Sequence, residues 1–262
     1  VASWNLLHGR SLTDGQVDPD NLRAGAACLD ADIVALQEVD RYQARSGNSH
    51  QTTTVAQALG AVWSTFVPSV WGEPGADWHP VDDADTDDGE RAAYGIGLVS
   101  RLPVLEWDVL RFAPAPFGMP LLVPGRGMVK VDDEPRVAVA AVVSGPTGSF
   151  TVIATHLSFV PGFNVRQLRE LVRWARERPA PRLLLGDLNL PGALPRLISG
   201  WTPLAQVATY PSWKPRVQFD HALGDGIGAH QVSDVESRRM PVSDHNALRV
   251  TVTLDGSPPP QR

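Results

Sequence analysis

Cysteine occurs once in the 262 residues, as Cys28. A single thiol excludes an intramolecular disulfide framework and a zinc site built on several thiolates, so any bound metal must be held by oxygen or imidazole. Lysine is almost as scarce: Lys130 and Lys214 stand against 21 arginines. With 29 acidic against 23 basic residues, the formal charge is -6, a field that repels duplex nucleic acid rather than collecting it. That argues against a general, salt-sensitive DNA binder, although the arginines could still form a local basic patch. No apolar run approaches the roughly 18 residues of a membrane span, so no integral membrane segment is expected. The chain opens in a strand-like segment, without a charged-then-apolar leader and without an initiator methionine. A soluble monomer is expected, in the cytoplasm unless an export leader has been removed.

What is present is ordinary for a globular α/β protein: 43% hydrophobic and 20% charged residues, enough to bury a sizeable core. Period and punctuation predict a strand near 1–7, a helix near 18–30 opened by Asp18-Pro19-Asp20, and a buried strand at Ile33-Val34-Ala35-Leu36. A helix near 51–60 and a strand near 62–67 follow. From Pro68 to Arg91 the chain is polar and carries Asp82, Asp83, Asp85, Asp87 and Asp88. It lacks the ligand spacing and bidentate Glu of a calcium loop and reads as a solvated surface loop. Two strands split by Leu102-Pro103 span 94–112, and 127–143 and 149–155 alternate like antiparallel strands. Residues 164–178 have helical apolar spacing, and Leu183-Leu184-Leu185 is a strand running into Gly186-Asp187. Further strands are predicted near 219–223, 228–234 and 247–254. One catalytic domain over 1–255 is expected, with 256–262, containing Pro258-Pro259-Pro260, as a disordered tail.

The chemistry-bearing residues sit where these strands end: Asn5, Glu38, His156, Asp187 with Asn189, then the clusters Asp220-His221 and Ser243-Asp244-His245. A carboxylate or imidazole directly after a buried strand is costly to bury unpaired, so it caps a loop or projects into a shared site at the sheet edge. Any one of them reads more simply as a loop residue; six clusters on successive strand ends do not. Their types fit one reaction. Magnesium, or manganese in its place, takes oxygen ligands and keeps positions for water and a phosphate oxygen, which Glu38, Asn5 and Asp244 could supply. Two histidines, His156 and His245, could donate to a phosphoryl oxygen or pass a proton near neutral pH. Asp187 could orient or deprotonate the attacking water, and Asn189 could donate to the phosphate without adding charge.

These segments, in this order, resemble the endonuclease/exonuclease/phosphatase superfamily, which includes deoxyribonuclease I, neutral sphingomyelinases, inositol polyphosphate phosphatases and exonuclease III-type repair enzymes. The resemblance rests on Ser3-Trp4-Asn5, Ala35-Leu36-Gln37-Glu38-Val39, Tyr94 to Arg101, Thr155-His156-Leu157, Gly186-Asp187-Leu188-Asn189, Phe219-Asp220-His221 and Ser243-Asp244-His245. It implies a four-layer αββα sandwich of two mainly antiparallel sheets flanked by helices, with the site at one edge of the paired sheets. It further implies Glu38 as the main metal ligand with Asn5 beside it, and His156 and Asn189 as phosphate contacts. Asp187 would position water, and His245, oriented by Asp220, would act as general base or transition-state stabiliser. Asp244 would be a second metal contact or a carboxylate behind the metal.

Around this set, Arg45, Ser46 and the Tyr94 hydroxyl are candidates to contact phosphate or leaving group, and the paired reading of each is a solvated or packing role. His221 should be structural, because strand alternation turns it away from Asp220. His8 reads as a loop residue, and His50, His79 and His230 have no matching context. The residues at 154–157 lack the tyrosine of exonuclease III-type enzymes, which lowers an abasic-site role. Trp63, Trp71, Trp78, Trp201 and Trp213 pack under loops or, less simply, form an apolar rim for a lipid or aromatic leaving group. The expectation is a divalent-metal-dependent phosphodiesterase or phosphatase acting on a small or lipid phosphoester, with a DNA nuclease and an inactive binding protein of the same fold as alternatives.

Overall fold

The alternation in Ile33-Val34-Ala35-Leu36 sends successive side chains into two different cores. Ile33 and Ala35 pack in one apolar cluster, Val34 and Leu36 in another, as a strand buried on both faces requires. The computed structural model describes residues 1–82, 85, 87, 89–123 and 127–254. The expected tail and the carboxylates Asp83 and Asp88 lie outside the described residues.

In chain order the elements are β1 (Ala2–Asn5), α1 (Pro19–Leu29), β2 (Ile33–Arg41), α2 (Gln51–Leu59), β3 (Trp63–Gly72), β4 (Trp78–Pro80), β5 (Ala93–Ser100) and β6 (Val104–Phe112). Then come β7 (Met119–Val123), β8 (Gly127–Val131), β9 (Arg136–Gly145), β10 (Gly148–His156), α3 (Phe163–Ala175), β11 (Arg182–Asp187) and α4 (Leu194–Ser199). The chain continues through β12 (Thr202–Pro203), β13 (Asp220–Asp225), β14 (Val232–Arg238) and β15 (Ala247–Val252). One sheet runs β14-β15-β1-β2-β5-β3-β4 and the other β12-β13-β11-β10-β9-β6, with β7-β8 a separate hairpin. Pairing is antiparallel except for β1 with β2 and β10 with β11.

Three cores make the four layers. Alternate residues of β2, β5, β9, β10 and β11, among them Leu98, Val139, Val152 and Leu185, fill the space between the sheets. Leu22, Ala26 and Leu29 of α1 and Val55 and Leu59 of α2 cover the outer face of the first sheet. Leu168, Leu171, Val172 and Ala175 of α3 cover that of the second. The helix starts are built locally: Asp18 caps α1, its carboxylate accepting from Asp20 N with Pro19 in the first turn. No helix among the described residues is long and apolar enough to cross a membrane.

Several sequence expectations are corrected. β3 runs on to Gly72 and is followed by β4, so the stretch from Pro68 is not loop throughout; Pro68, which lacks an N–H, sits where the β3–β5 register shifts. Asp85 accepts from Trp71 Nε1 at 2.7 Å and Asp87 pairs bidentately with the buried Arg41, so these two carboxylates anchor the acidic stretch instead of merely being solvated. Residues 132–135 divide 127–143 into β8 and β9, and β7, within an expected loop, pairs with β8. The short α4 was not expected, and a 3-10 turn at Ala229–Gln231 delays β14 to Val232. Trp71 and Trp201 are buried, as packing predicts, while Trp213 is 55% exposed.

The parallel register of β10 and β11 places Thr155 opposite Gly186 and His156 opposite Asp187. A Cβ on Gly186 would lie 2.1 Å from Thr155 O, so no side chain fits without separating these strands. Gly186→Ala should therefore lower stability by at least about 1–3 kcal/mol, read as a shift of the denaturant midpoint; an unchanged midpoint would contradict this close approach.

Candidate active site at the shared edge of the two sheets

Register assembles the site. In the second sheet His156 lies opposite Asp187, and Asp187 opposite Asp220, so three strand ends present one polar row. In the first sheet Asn5 lies opposite Gln37, next to Glu38. The β2–β5 register shifts between Leu36 and Val39, a bulge that re-aims Glu38 toward the edge. Asn5 joins the two rows: its Nδ2 donates to Glu38 Oε1 at 2.9 Å and to Asp187 Oδ2 at 3.1 Å, while Oδ1 accepts from Leu7 N. His245, from the loop before β15, donates through Nδ1 to Asp220 Oδ2 at 2.8 Å, and its Nε2 stands 3.7 Å from Asp187 Oδ2. His156 Nε2 is also 3.7 Å from that oxygen.

The backbone is strained where the side chains are aimed. Glu38 (φ 52°), Asn189 (φ 49°) and Ser243 (φ 83°), which precedes Asp244, all occupy the left-handed region unfavourable to non-glycine residues. Asn189 is held by its backbone N–H on Asp187 Oδ1 at 3.0 Å and by Nδ2 on Leu157 O at 2.9 Å. Asn164 Nδ2 in turn donates to Asn189 O.

Electrostatics separate the two imidazoles. Burial disfavours the charged form of His245, but the carboxylates of Asp220, Asp187 and Asp244 outweigh it and raise its pKa to about 10. Burial, then the Arg136 charge, then His245, push His156 well below its ordinary value. Glu38 is raised to about 7, first by burial and then by the neighbouring Asp244 carboxylate. Burial also raises Asp187 and Asp244.

This edge carries excess negative charge, and its donors are those a hard divalent cation takes. Asp187, Asp220 and His245 offer atoms within 4.8 Å of one another. Asp220 Oδ2 and His245 Nδ1 are already spent on each other, and both Asp187 oxygens accept from Asn5 and Asn189, so the better-fitted donors are the Glu38 and Asp244 carboxylates. Asn5, in the orientation found, tethers two carboxylates by its nitrogen; turning the amide over would present Oδ1 to a cation and forfeit the Leu7 N–H bond.

Arg45 and Tyr94 are near this site without opening freely into it. Arg45 forms a bidentate pair with the buried Asp40, at 2.8 and 2.7 Å, and stacks over Tyr94 at 5.6 Å. Tyr94 is buried, and burial, with Glu38 close by, holds its hydroxyl protonated. Ser46 Oγ is buried on Gln43 O. His221 turns away from the row and its Nε2 bonds to Leu190 O at 2.8 Å, the structural role alternation predicts. His8 is driven to about 3 by burial and by Arg45 and Arg10, and lies on the loop after β1.

Two residues escaped the sequence reading. Arg136, the first residue of β9, is buried with Nη1 3.1 Å from His156 Nδ1. Its signal was an arginine heading an otherwise apolar strand. Tyr210 packs its ring 4.9 Å from that of His245; it opens the segment Tyr210 to Arg216, which faintly resembles the inositol phosphatase branch without its flanking motifs and so carried no site assignment.

A family model for the endonuclease/exonuclease/phosphatase family matches residues 2–245. The chain belongs to that family. Its enzymes are hydrolases of phosphoesters and are generally dependent on a divalent metal. Similar solved structures include a family protein from Leptotrichia buccalis (13% identity, 97% of this chain and 98% of that one, TM-score 0.66). A mannosyl-6-phosphatase of Bacteroides thetaiotaomicron is similar at 16% identity, 97% and 98% coverage and TM-score 0.61. Sphingomyelinase C of Streptomyces griseocarneus is similar at 14% identity, 96% and 98% coverage and TM-score 0.57. No curated protein sequence matches the chain.

The His245 environment has a measurable consequence. Its folded value of about 10 exceeds the ordinary 6.5, so its contribution to stability is whole below about pH 6.5 and is lost as pH rises through 10. In chelator, wild type should lose stability relative to His245→Gln between these limits, measured by denaturant unfolding at both. A pH-independent difference would contradict the arrangement of carboxylates around the ring.

Proposed function

We propose that the chain is a divalent-metal-dependent phosphoester hydrolase that directs water in line at the phosphorus of a small or lipid phosphoester. The observation that carries this reading is the meeting of the two rows, Asn5-Glu38 and His156-Asp187-Asp220, across the 3.1 Å bond from Asn5 to Asp187. It brings the oxygen-rich group read as the cation's ligands beside a carboxylate flanked by two imidazoles and an amide donor.

When bound, the metal supplies charge neutralisation at the phosphate and at the oxygen that departs. The chain's own groups do the rest. Asp187, whose Oδ2 is 3.7 Å from both Nε2 atoms, orients the attacking water and accepts its proton. Asn189 Nδ2 and His156 donate to non-bridging oxygens. His245, charged through its bond to Asp220, stabilises the build-up of negative charge. Arg45 and Tyr94 border the leaving-group side.

The choice of a small or lipid ester over duplex DNA is supported by charge: the molecule carries -6, and Arg45 and Arg136 are engaged with Asp40 and His156. Similar structures that carry the names of a sugar phosphatase and a sphingomyelinase show the fold serving such esters.

Hydrolysis of an activated phosphodiester or monoester should stop in chelator and return with Mg2+ or Mn2+. His156→Ala and His245→Ala should each cost about 10²–10⁴ in rate. A parallel screen of sugar phosphates, inositol phosphates, sphingomyelin, nucleotides and DNA reads the substrate class. Undiminished turnover in chelator sinks the mechanism, and inactivity on every ester with metal bound favours a binding protein.

A further inference from the structure

Both ring nitrogens of His156 face donors. Arg136 Nη1 is 3.1 Å from Nδ1, and Asn189 Nδ2 is 3.2 Å from Nε2. A guanidinium only donates. The Asn189 amide is fixed with its nitrogen toward the ring, because that nitrogen also donates to Leu157 O. A neutral imidazole offers one lone pair, so one donor must go unmet; an imidazolium offers none and would leave both unmet.

The competition is unequal. Arg136 is 6% exposed, and its Nε has no partner. The nearest carboxylate oxygens, on Asp133 and Glu134, stand 3.8 and 4.0 Å away, beyond hydrogen-bond reach. Among the described residues, His156 Nδ1 is thus the one hydrogen-bond acceptor of a buried cation, whereas Asn189 Nδ2 retains Leu157 O. Stranding the guanidinium costs more than stranding one amide proton, because its bond is charge-assisted and its Nε is already unsatisfied.

We infer that Arg136 is a positioning residue that holds His156 as the neutral tautomer with its proton on Nε2, aimed alongside Asn189 Nδ2 at a shared acceptor. Two donors 3.2 Å apart without an acceptor between them define a place for an anionic oxygen, and on the phosphoester reading, on which this role rests, that oxygen is a non-bridging one of the substrate. The tautomer also assigns a limit. Giving up the Nε2 proton would leave an imidazolate anion, so His156 polarises the phosphate without passing a proton. Any imidazole that supplies a proton to the leaving oxygen is then His245. The charges of Arg136 and His245 act in the same direction, since both oppose a second proton on the ring.

The test is nitrogen-15 NMR of histidine-labelled protein, metal-free and with inorganic phosphate, for wild type, Arg136→Lys and Arg136→Gln. Wild type and Arg136→Lys should show a His156 ring with an acceptor-type Nδ1 and a protonated Nε2. Arg136→Gln, whose amide can present either oxygen or nitrogen, should admit the Nδ1–H form. It should also lose about 10–100-fold in kcat, with Arg136→Lys restoring part of the loss. A wild-type ring that carries its proton on Nδ1 or on both nitrogens overturns the inference, as does an unchanged tautomer in Arg136→Gln. If Arg136→Gln does not fold, the wild-type and Arg136→Lys spectra decide. The stated spectra without hydrolysis of any ester would uphold the tautomer and overturn the hydrolase reading.

Discussion

The 3.1 Å bond from Asn5 to Asp187 joins the two sheets at their polar edge, beyond the apolar side chains that fill the space between them. Everything polar at this edge is organised around it. Burying Glu38, Asp187, Asp220 and Asp244 so close together is unfavourable unless donors and a cation compensate. Asn5 serves two of them, His245 a third, and the raised Glu38 and Asp244 values record that the compensation is incomplete in the protein alone. In the function proposed above, that remaining deficit is the source of affinity for a divalent ion, so the electrostatic cost of burying these carboxylates and the proposed binding site have one origin.

That arrangement needs backbone geometry that regular strands cannot supply. A flat β2 would alternate Gln37 and Glu38 between faces; the bulge and the left-handed Glu38 break the alternation and turn the carboxylate along the edge. Asn189 and Ser243 repeat the device after β11 and before β15. Each strained residue is held by side-chain hydrogen bonds, as Asn189 is by Asp187 and Leu157. The cost is local, and the sheets on which it rests are continuous and well buried.

Much of this was legible in the sequence because strand-end polarity is a one-dimensional signal. Asn5, Glu38, His156, Asp187, Asn189, Asp220, Asp244 and His245 each follow or precede an apolar run, and register then aligns them. The individual elements were legible through pattern, since Ile33 to Leu36 is a short apolar run and 164–178 steps by three and four, whereas the αββα layering was carried by the family resemblance of the ordered motifs. What was not legible depends on packing between distant segments. Arg136 heads an apolar strand, a signal that does not by itself say which group it serves, and its value lies in the ring 20 residues on. The intended freedom of Arg45 could not be judged, because Asp40, its partner, belongs to the buried end of β2. The hairpin of β7 and β8 was missed because it pairs only with itself.

The two imidazoles show why such distant neighbours matter. His156 and His245 have the same side chain and face the same carboxylate oxygen at the same 3.7 Å, yet their surroundings drive them apart. Behind His245 stands Asp220, which accepts from Nδ1 and favours the charged ring. Behind His156 stands Arg136, which donates to Nδ1 and forbids it. The partner on the far nitrogen therefore decides whether the near nitrogen is part of a cation or of a neutral donor. One edge thus holds an imidazole that favours charge and one that opposes it around a single carboxylate, which is the physical basis for the different roles proposed for His245 and His156.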